Sequence, residues 1–224
     1  PPLPGYNVLA LSQFQANQLF QYQHVNARVF DCHCFPTGPT DAMPIETPTR
    51  PFVFIGRATP TKGMKEAAGL CRELGRSLHI IGGLGPGDDK AYLEAVKLMC
   101  SDELGIVYWG EVSDRVKNAL VMQSEALIYP INYPNQAGEA HSHKSVDSLC
   151  LGTGVVAYAH GALSEVVEHG VDGFLASTPA EFKAYMLRAG ELNREKIRER
   201  ALERWGVENV IPRAIPLMGQ VAGG

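Results

Sequence analysis

Two carboxylates, Glu139 and Asp147, stand eight positions apart in the stretch GEAHSHKSVDSLCLGTGVVAYAHGALSEVVEHGVDGFL that runs from Gly138 to Leu175. Glu139 lies in a turn after the apolar run Ala126 to Pro130, and Asp147 falls about two turns into a helix expected to begin near Ser142. One acid then sits at the mouth of the helix and the other inside it. A helix mouth offers unpaired backbone N–H groups and the positive end of a dipole. That chemistry suits a ligand carrying hydroxyls, phosphate and negative charge together, as a sugar nucleotide does. A second group, Gly56-Arg57 and Lys62-Gly63, brings two cations to the end of the strand Phe52 to Ile55. Glycine there lets a ligand approach the backbone, Arg57 can grip a diphosphate with two parallel hydrogen bonds, and Lys62 acts as a movable point charge.

The elements that must position these residues follow from periodicity. Strands are expected at Phe52 to Ile55, Leu78 to Ile81, Ile106 to Trp109, Ala126 to Pro130 and Val155 to Tyr158. Helical stretches separate them, at Lys65 to Arg76, Lys90 to Cys100 and Val116 to Met122. Strands alternating with helices imply an α/β fold, a Rossmann-like parallel sheet with helices on both faces. Upstream, a strand at Asn7 to Leu11, a helix capped by Ser12 and a strand at Ala27 to Phe30 precede a linker, Phe35 to Pro51, with five prolines and one glycine. The tail from Glu181 to Met218 reads as helical with a break near Pro212. The Gly-rich turn Gly82-Gly83-Leu84-Gly85-Pro86-Gly87 follows a strand but is no dinucleotide fingerprint, because position 88 is Asp where a third glycine is required. In the loop Trp109 to Asp114, Ser113 or Asp114 is the expected helix cap.

At 224 residues, 45% of them hydrophobic, the chain can bury the core of one full domain. A net charge of -4 without a long Lys/Arg run argues against nucleic acid as a partner. No apolar run is long enough for a transmembrane segment, and no signal peptide opens the chain. The start at Pro1 without Met suggests a fragment or a processed product. Five cysteines in no repeating pattern are unlike a disulfide scaffold and fit a reducing, cytoplasmic setting. Cys32-His33-Cys34 is not expected to hold metal, since neighbours on a strand face opposite ways and no second pair follows. His141 and His143 read either as ligand contacts beside Glu139 or as polar residues of a helix-start loop.

Glu139-x7-Asp147 followed by Gly152-Thr153-Gly154-Val155-Val156 resembles the signature of family 4 glycosyltransferases, Glu-x7-Glu and then Gly-Thr-Pro-Val. Gly56 to Gly63 upstream and Glu165 to Leu175 downstream fall in the order that family requires. The resemblance covers most of the chain but only the C-terminal half of such enzymes. It implies a retaining enzyme of GT-B architecture, with residues 1–34 ending the N-terminal, acceptor-side domain and 35–50 linking the two. Residues 51–200 would bind the nucleotide sugar, and 201–224 would form a C-terminal helical tail returning to the missing N-terminal domain.

By the same resemblance, Gly56, Arg57, Lys62, Gly82, Gly83, Gly110, Val112, Glu139, Ala140, His141, Ser142 and Asp147 surround the donor, with Glu139, Arg57 and Lys62 carrying the catalytic roles. Glu139 would face the sugar, the amides of Ala140, His141 and Ser142 would hold hydroxyls or phosphate, and Asp147 would bond the ribose. A UDP-sugar is favoured as donor, with GDP- and ADP-sugars open, and no cofactor or metal is required. The acceptor would be a glycan, a lipid or a small molecule. Three departures bear on substrate geometry: Asp147 replaces Glu, Gly154 replaces Pro, and His141-Ser142-His143 stands where Phe-Gly is common. A non-catalytic nucleotide-sugar-binding module is the alternative, followed by a nucleotide-sugar 2-epimerase. Glu165 is expected to cap or brace the next helix.

Overall fold

The computed structural model describes residues 8–23, 27–29, 35, 50–131 and 142–222. The first of these form a small unit. Strand β1 (Val8–Ala10) pairs in parallel with β2 (Ala27–Val29), and α1 (Gln13–Gln23) connects them. The Ser12 hydroxyl accepts from the Gln15 amide at 3.0 Å, as expected of a cap. The amides of Gln13 and Phe14 go elsewhere: they donate to the Glu165 carboxylate at 2.8 and 2.7 Å. Glu165 thus braces α1, a helix about 150 positions away in the chain, rather than a helix near it in sequence.

The main sheet has six parallel strands: β3 (Phe52–Ile55), β4 (Leu78–Ile81), β5 (Ile106–Gly110), β6 (Ala126–Tyr129), β7 (Gly154–Tyr158) and β8 (Gly173–Ala176). Their order is β5-β4-β3-β6-β7-β8. β3, β4, β6 and β7 are buried along their whole length, so none alternates apolar and polar residues, and His79 on β4 is the one titratable side chain buried in the middle of these strands. β8 was not legible as a strand, because only Phe174 to Ala176 is apolar and Gly170, Asp172 and Gly173 surround its start.

The connecting helices are α2 (Met64–Leu74), α3 (Lys90–Lys97), α4 (Asp114–Gln123), α5 (His143–Cys150), α6 (Leu163–Val166), α7 (Pro179–Arg188) and α8 (Arg194–Trp205). Right-handed crossovers run one way from β3 to β5 and the opposite way from β6 to β8, which places helices on both faces of the sheet. Each helix buries one stripe. On α2 the stripe is Met64, Ala67, Ala68 and Cys71, and Gly75 closes the helix in the left-handed region at φ 61°.

The tail differs from expectation. Helix α9 (Val207–Ala222) runs straight through Pro212 and Pro216. These prolines lie one turn apart on an exposed face, where the carbonyls they leave unpaired can be hydrated. The chain breaks earlier, at Asn193, whose side chain caps α8 by accepting from Lys196 N at 2.9 Å, and at Gly206, which is extended. At that second break the backbone of Phe35 bonds to Trp205 and Val207.

Arg194, the first residue of α8, ties three segments together. Its guanidinium donates to Ser124 O at 2.7 Å, Met122 O at 2.6 Å and Thr153 Oγ1 at 2.8 Å. It therefore closes the C-terminal end of α4 and pins the turn before β7. Thr153 is fully buried, and its hydroxyl donates onward to Val121 O at 2.7 Å.

His79, on β4, is 5% exposed. Its Nδ1 accepts from the Trp109 indole at 3.0 Å, which leaves the proton on Nε2, an atom buried without a partner. Burial pushes its pKa down from 6.5 to about 4. The folded state therefore favours neutral His79. This contribution to stability is fully present above the unfolded pKa near 6.5 and is lost as the pH falls toward about 4. On the order of 3 kcal/mol is expected to disappear over that window. His79→Leu should flatten this part of the profile in urea titrations run at successive pH values, and an unchanged acid slope would exclude His79 as its source.

Candidate functional site

The strand order reverses between β3 and β6, and at such a switch point the loops leaving the two strands diverge and open a crevice at the carboxyl ends. A cleft of about 430 Å³ lies there. Gly56 and Arg57 after β3, Gly82 to Gly85 after β4, Glu111 and Val112 after β5 and Lys144 in the first turn of α5 form its walls. Its volume falls in the range of small-molecule sites.

Close backbone approach shapes the floor. Gly56 N donates to Ile81 O at 3.0 Å and Gly82 N to Gly110 O at 2.8 Å. Gly82 has φ 128°, and a Cβ on it would sit 1.9 Å from Gly56 O. The β4–β5 register shifts between Ile80 and Ile81, so that Ile81 faces Gly110 and Trp109 is the extra residue. Such a bulge re-aims the chain beside a site, and here it turns Glu111 and Val112 into the cleft. The Tyr108 hydroxyl completes the floor by donating to Gly82 O at 2.9 Å.

The charged groups are arranged around this floor. The Arg57 side chain is 58% exposed, and its Nη1 lies 3.5 Å from Asp88 Oδ1. Asp88 also accepts from Gly85 N at 2.6 Å, so one carboxylate sets both the turn and the direction of Arg57. Lys62 ends a 3-10 turn, Pro60–Lys62. It does not line the cleft, but its Cβ would be 3.8 Å from a Cβ placed on Gly56. The next residue, Gly63, has φ 77° and packs so closely on Pro130 after β6 that a Cβ there would lie 2.3 Å from Pro130 O. One turn further, the buried side of Glu66 accepts from the Tyr158 hydroxyl at 3.1 Å, and desolvation lifts its carboxyl above the usual range.

Helix α5 starts where expected, with Ser142 at its N-cap position. Ser142 is buried and its hydroxyl pairs with that of Ser145 at 2.7 Å. Asp147 is half-buried in α5, with Lys117 Nζ 3.9 Å from Oδ2, and the same Lys117 is 2.7 Å from Asp114. The cap of α4 is Ser113, whose hydroxyl accepts from Val116 N at 3.4 Å. Glu139, Ala140 and His141 lie outside the described residues, as do Cys32, His33 and Cys34.

Among the expected residues, then, Gly56, Arg57, Gly82, Gly83 and Val112 line one cleft, Gly110 supports its floor, and Lys62, Ser142 and Asp147 stand outside its lining. Glu111, Lys144 and Asp88 were not singled out. Lys144 carries a hint in retrospect, as a cation in the first turn of a helix, where the dipole disfavours it. Elsewhere, burial raises the thiols of Cys71 and Cys150 to about 12, which keeps both protonated. Among the described residues no group of three or more His, Cys, Asp or Glu could hold a metal ion, and no helix is long and apolar enough to cross a membrane.

The fold is shared with solved glycosyltransferases. Sucrose-phosphate synthase from Thermosynechococcus elongatus is similar with a TM-score of 0.73 at 17% identity, covering 96% of this chain and 58% of that one. HepE of Anabaena, in complex with UDP and glucose, gives 0.71 at 17%, covering 96% and 63%. A glycosyltransferase from Rickettsia africae ESF-5 gives 0.73 at 15%, covering 98% and 64%. This chain thus spans less than two thirds of each. No curated protein sequence matches it. The profile of the glycosyl transferases group 1 matches residues 42–204, which take in the six-stranded sheet and the cleft, and the chain belongs to that family.

Proposed function

We propose that this chain is the donor-binding half of a retaining, family 4-like glycosyltransferase of GT-B architecture, which moves a sugar from a nucleoside diphosphate sugar to an acceptor hydroxyl. The observation that carries the reading is the cleft at the strand-order reversal, where glycine backbones and Arg57 meet. A diphosphate leaving group gathers negative charge as the glycosidic bond breaks. Arg57 and Lys62 contribute most when that charge is greatest, so their attraction lowers the barrier rather than merely tightening binding. With two cations in these roles, a divalent metal is not obligatory.

Glu139 and the amides of Ala140, His141 and Ser142 take the sugar and phosphate side, and Asp147 takes the ribose hydroxyls. The Glu111-Val112 loop borders the base. A UDP-sugar is the favoured donor, in keeping with the UDP bound by HepE of Anabaena. In this reading residues 1–34 close the acceptor-side domain, 35–50 form the linker, 51–200 bind the donor and 201–224 are the returning tail. The acceptor, whether glycan, lipid or small molecule, meets the missing N-terminal domain. The isolated chain, working in the cytoplasm, binds donor and turns over poorly.

Titration calorimetry with UDP, GDP and ADP tests this. One nucleotide is expected to bind, and Arg57→Ala should weaken it by more than about 1.4 kcal/mol, a factor of ten. Binding that ignores the substitution would remove Arg57 from the site, and no binding by any of the three would count against a donor cleft in this half.

A further inference from the structure

Positive charge also collects at the opposite edge of the sheet, where the strands begin. A cavity of about 130 Å³ is lined there by Arg50 before β3, Glu125 before β6, Gly154 at the start of β7, Ala189, Gly190 and Leu192 between α7 and α8, and Arg194 and Ile197 in the first turn of α8. Among the described residues here, three guanidinium groups, those of Arg50, Arg76 and Arg194, stand near one carboxylate, that of Glu125. Glu125 is engaged by Arg76 at 2.5 Å. Among the described residues, no carboxylate oxygen lies within 4.0 Å of a side-chain nitrogen of Arg50 or Arg194.

Arg194 spends three of its five N–H groups on Ser124 O, Met122 O and Thr153 Oγ1, which leaves two to donate. Burial and then the nearby charge of Arg50 bring its pKa down to about 10, so the two cations repel across the cavity. The 270 Å³ cavity between α6 and α8 is different, since Arg200 there is paired with Glu168 and Arg204 donates to Glu165 O. The 130 Å³ cavity has less than a third of the volume of the front cleft. It is too small for a nucleotide and large enough for one tetrahedral anion.

We propose that this rear cavity binds a small oxyanion, a phosphate or sulfate group, held between Arg50 and Arg194. The anion supplies a counter-charge that the described residues do not, and it accepts from the spare N–H groups of Arg194. It also ties the residue at which the chain enters the six-stranded sheet to the first turn of α8.

Thermal unfolding of the full chain in sodium phosphate, sodium sulfate and sodium chloride, at matched ionic strength, tests the site. Phosphate and sulfate are expected to raise Tm above the chloride value in a saturable way. Arg50→Ala removes an exposed side chain and should weaken the apparent phosphate affinity at least about tenfold, with Arg50→Lys retaining part of it. Arg57→Ala, which weakens any phosphate held in the front cleft, should leave the Arg50-dependent part of the shift standing. In the Arg57→Ala background, a shift that survives Arg50→Ala, that is absent altogether, or that chloride reproduces would overturn the proposal.

Discussion

Gly82→Ala is expected to lower the unfolding free energy by about 2–6 kcal/mol, combining the cost of a disallowed backbone conformation with that of overpacking. At φ 128° no L-residue is comfortable, and the added methyl would lie 1.9 Å from Gly56 O. The neighbours cannot yield easily. Gly56 is held to Ile81, Gly82 to Gly110, and Gly82 O takes the Tyr108 hydroxyl. Either β3 and β4 part at their carboxyl ends or the turn flips, and both outcomes deform the cleft floor. Gly87→Ala is the control, because Gly87 also has a positive φ, 79°, but no atom within 4 Å of its would-be Cβ. It should cost only about 1–2 kcal/mol. Urea unfolding of the two variants measures the difference, and equal losses would show that the contact with Gly56 is relieved without strain.

Arg194→Met should cost about 3–5 kcal/mol, since it keeps much of the side-chain volume while leaving Ser124 O, Met122 O and Thr153 Oγ1 short of a donor. The carbonyls lie at the end of α4, where the last turn has no intrahelical partners. Lysine offers three N–H groups from a single point, without the planar spread that reaches three acceptors, so Arg194→Lys should recover only part of the loss. The double variant Arg194→Met with Thr153→Val measures the coupling between the two side chains. A coupling near zero would mean that the arginine acts only through the helix-end carbonyls.

How far sequence alone reached depended on whether the information was local. β3, β4, β6 and β7 announce themselves as apolar runs because both faces of the sheet are covered, and Ser12, Ser113 and Ser142 mark helix starts through groups within four positions. Gly56, Arg57, Gly82, Gly83 and Val112 were legible through motif order, as a resemblance rather than a calculation. Glu111, Lys144 and Asp88 were not, because they come together only through the strand order β5-β4-β3-β6 and the bulge at Trp109. β8, no shorter than β3, was missed because it opens on Gly173 and carries only three apolar residues. Pro212 misled because a proline in a helix is costly mainly where its freed carbonyl is dry, and here that face is wet. Glu165 misled for the opposite reason, its partners being remote in the chain.

That remoteness bears on the order in which the molecule comes together. The first-turn amides of α1 wait for a carboxylate 151 and 152 positions downstream, and Phe35 waits for the backbone of Trp205 and Val207. During synthesis these residues therefore emerge before the groups that complete them. The six-stranded sheet, with its nearer pairings, can close first, and the N-terminal unit docks onto it afterwards, because contacts across long loops carry a larger closure entropy. Of the two parts, the one made earlier settles later.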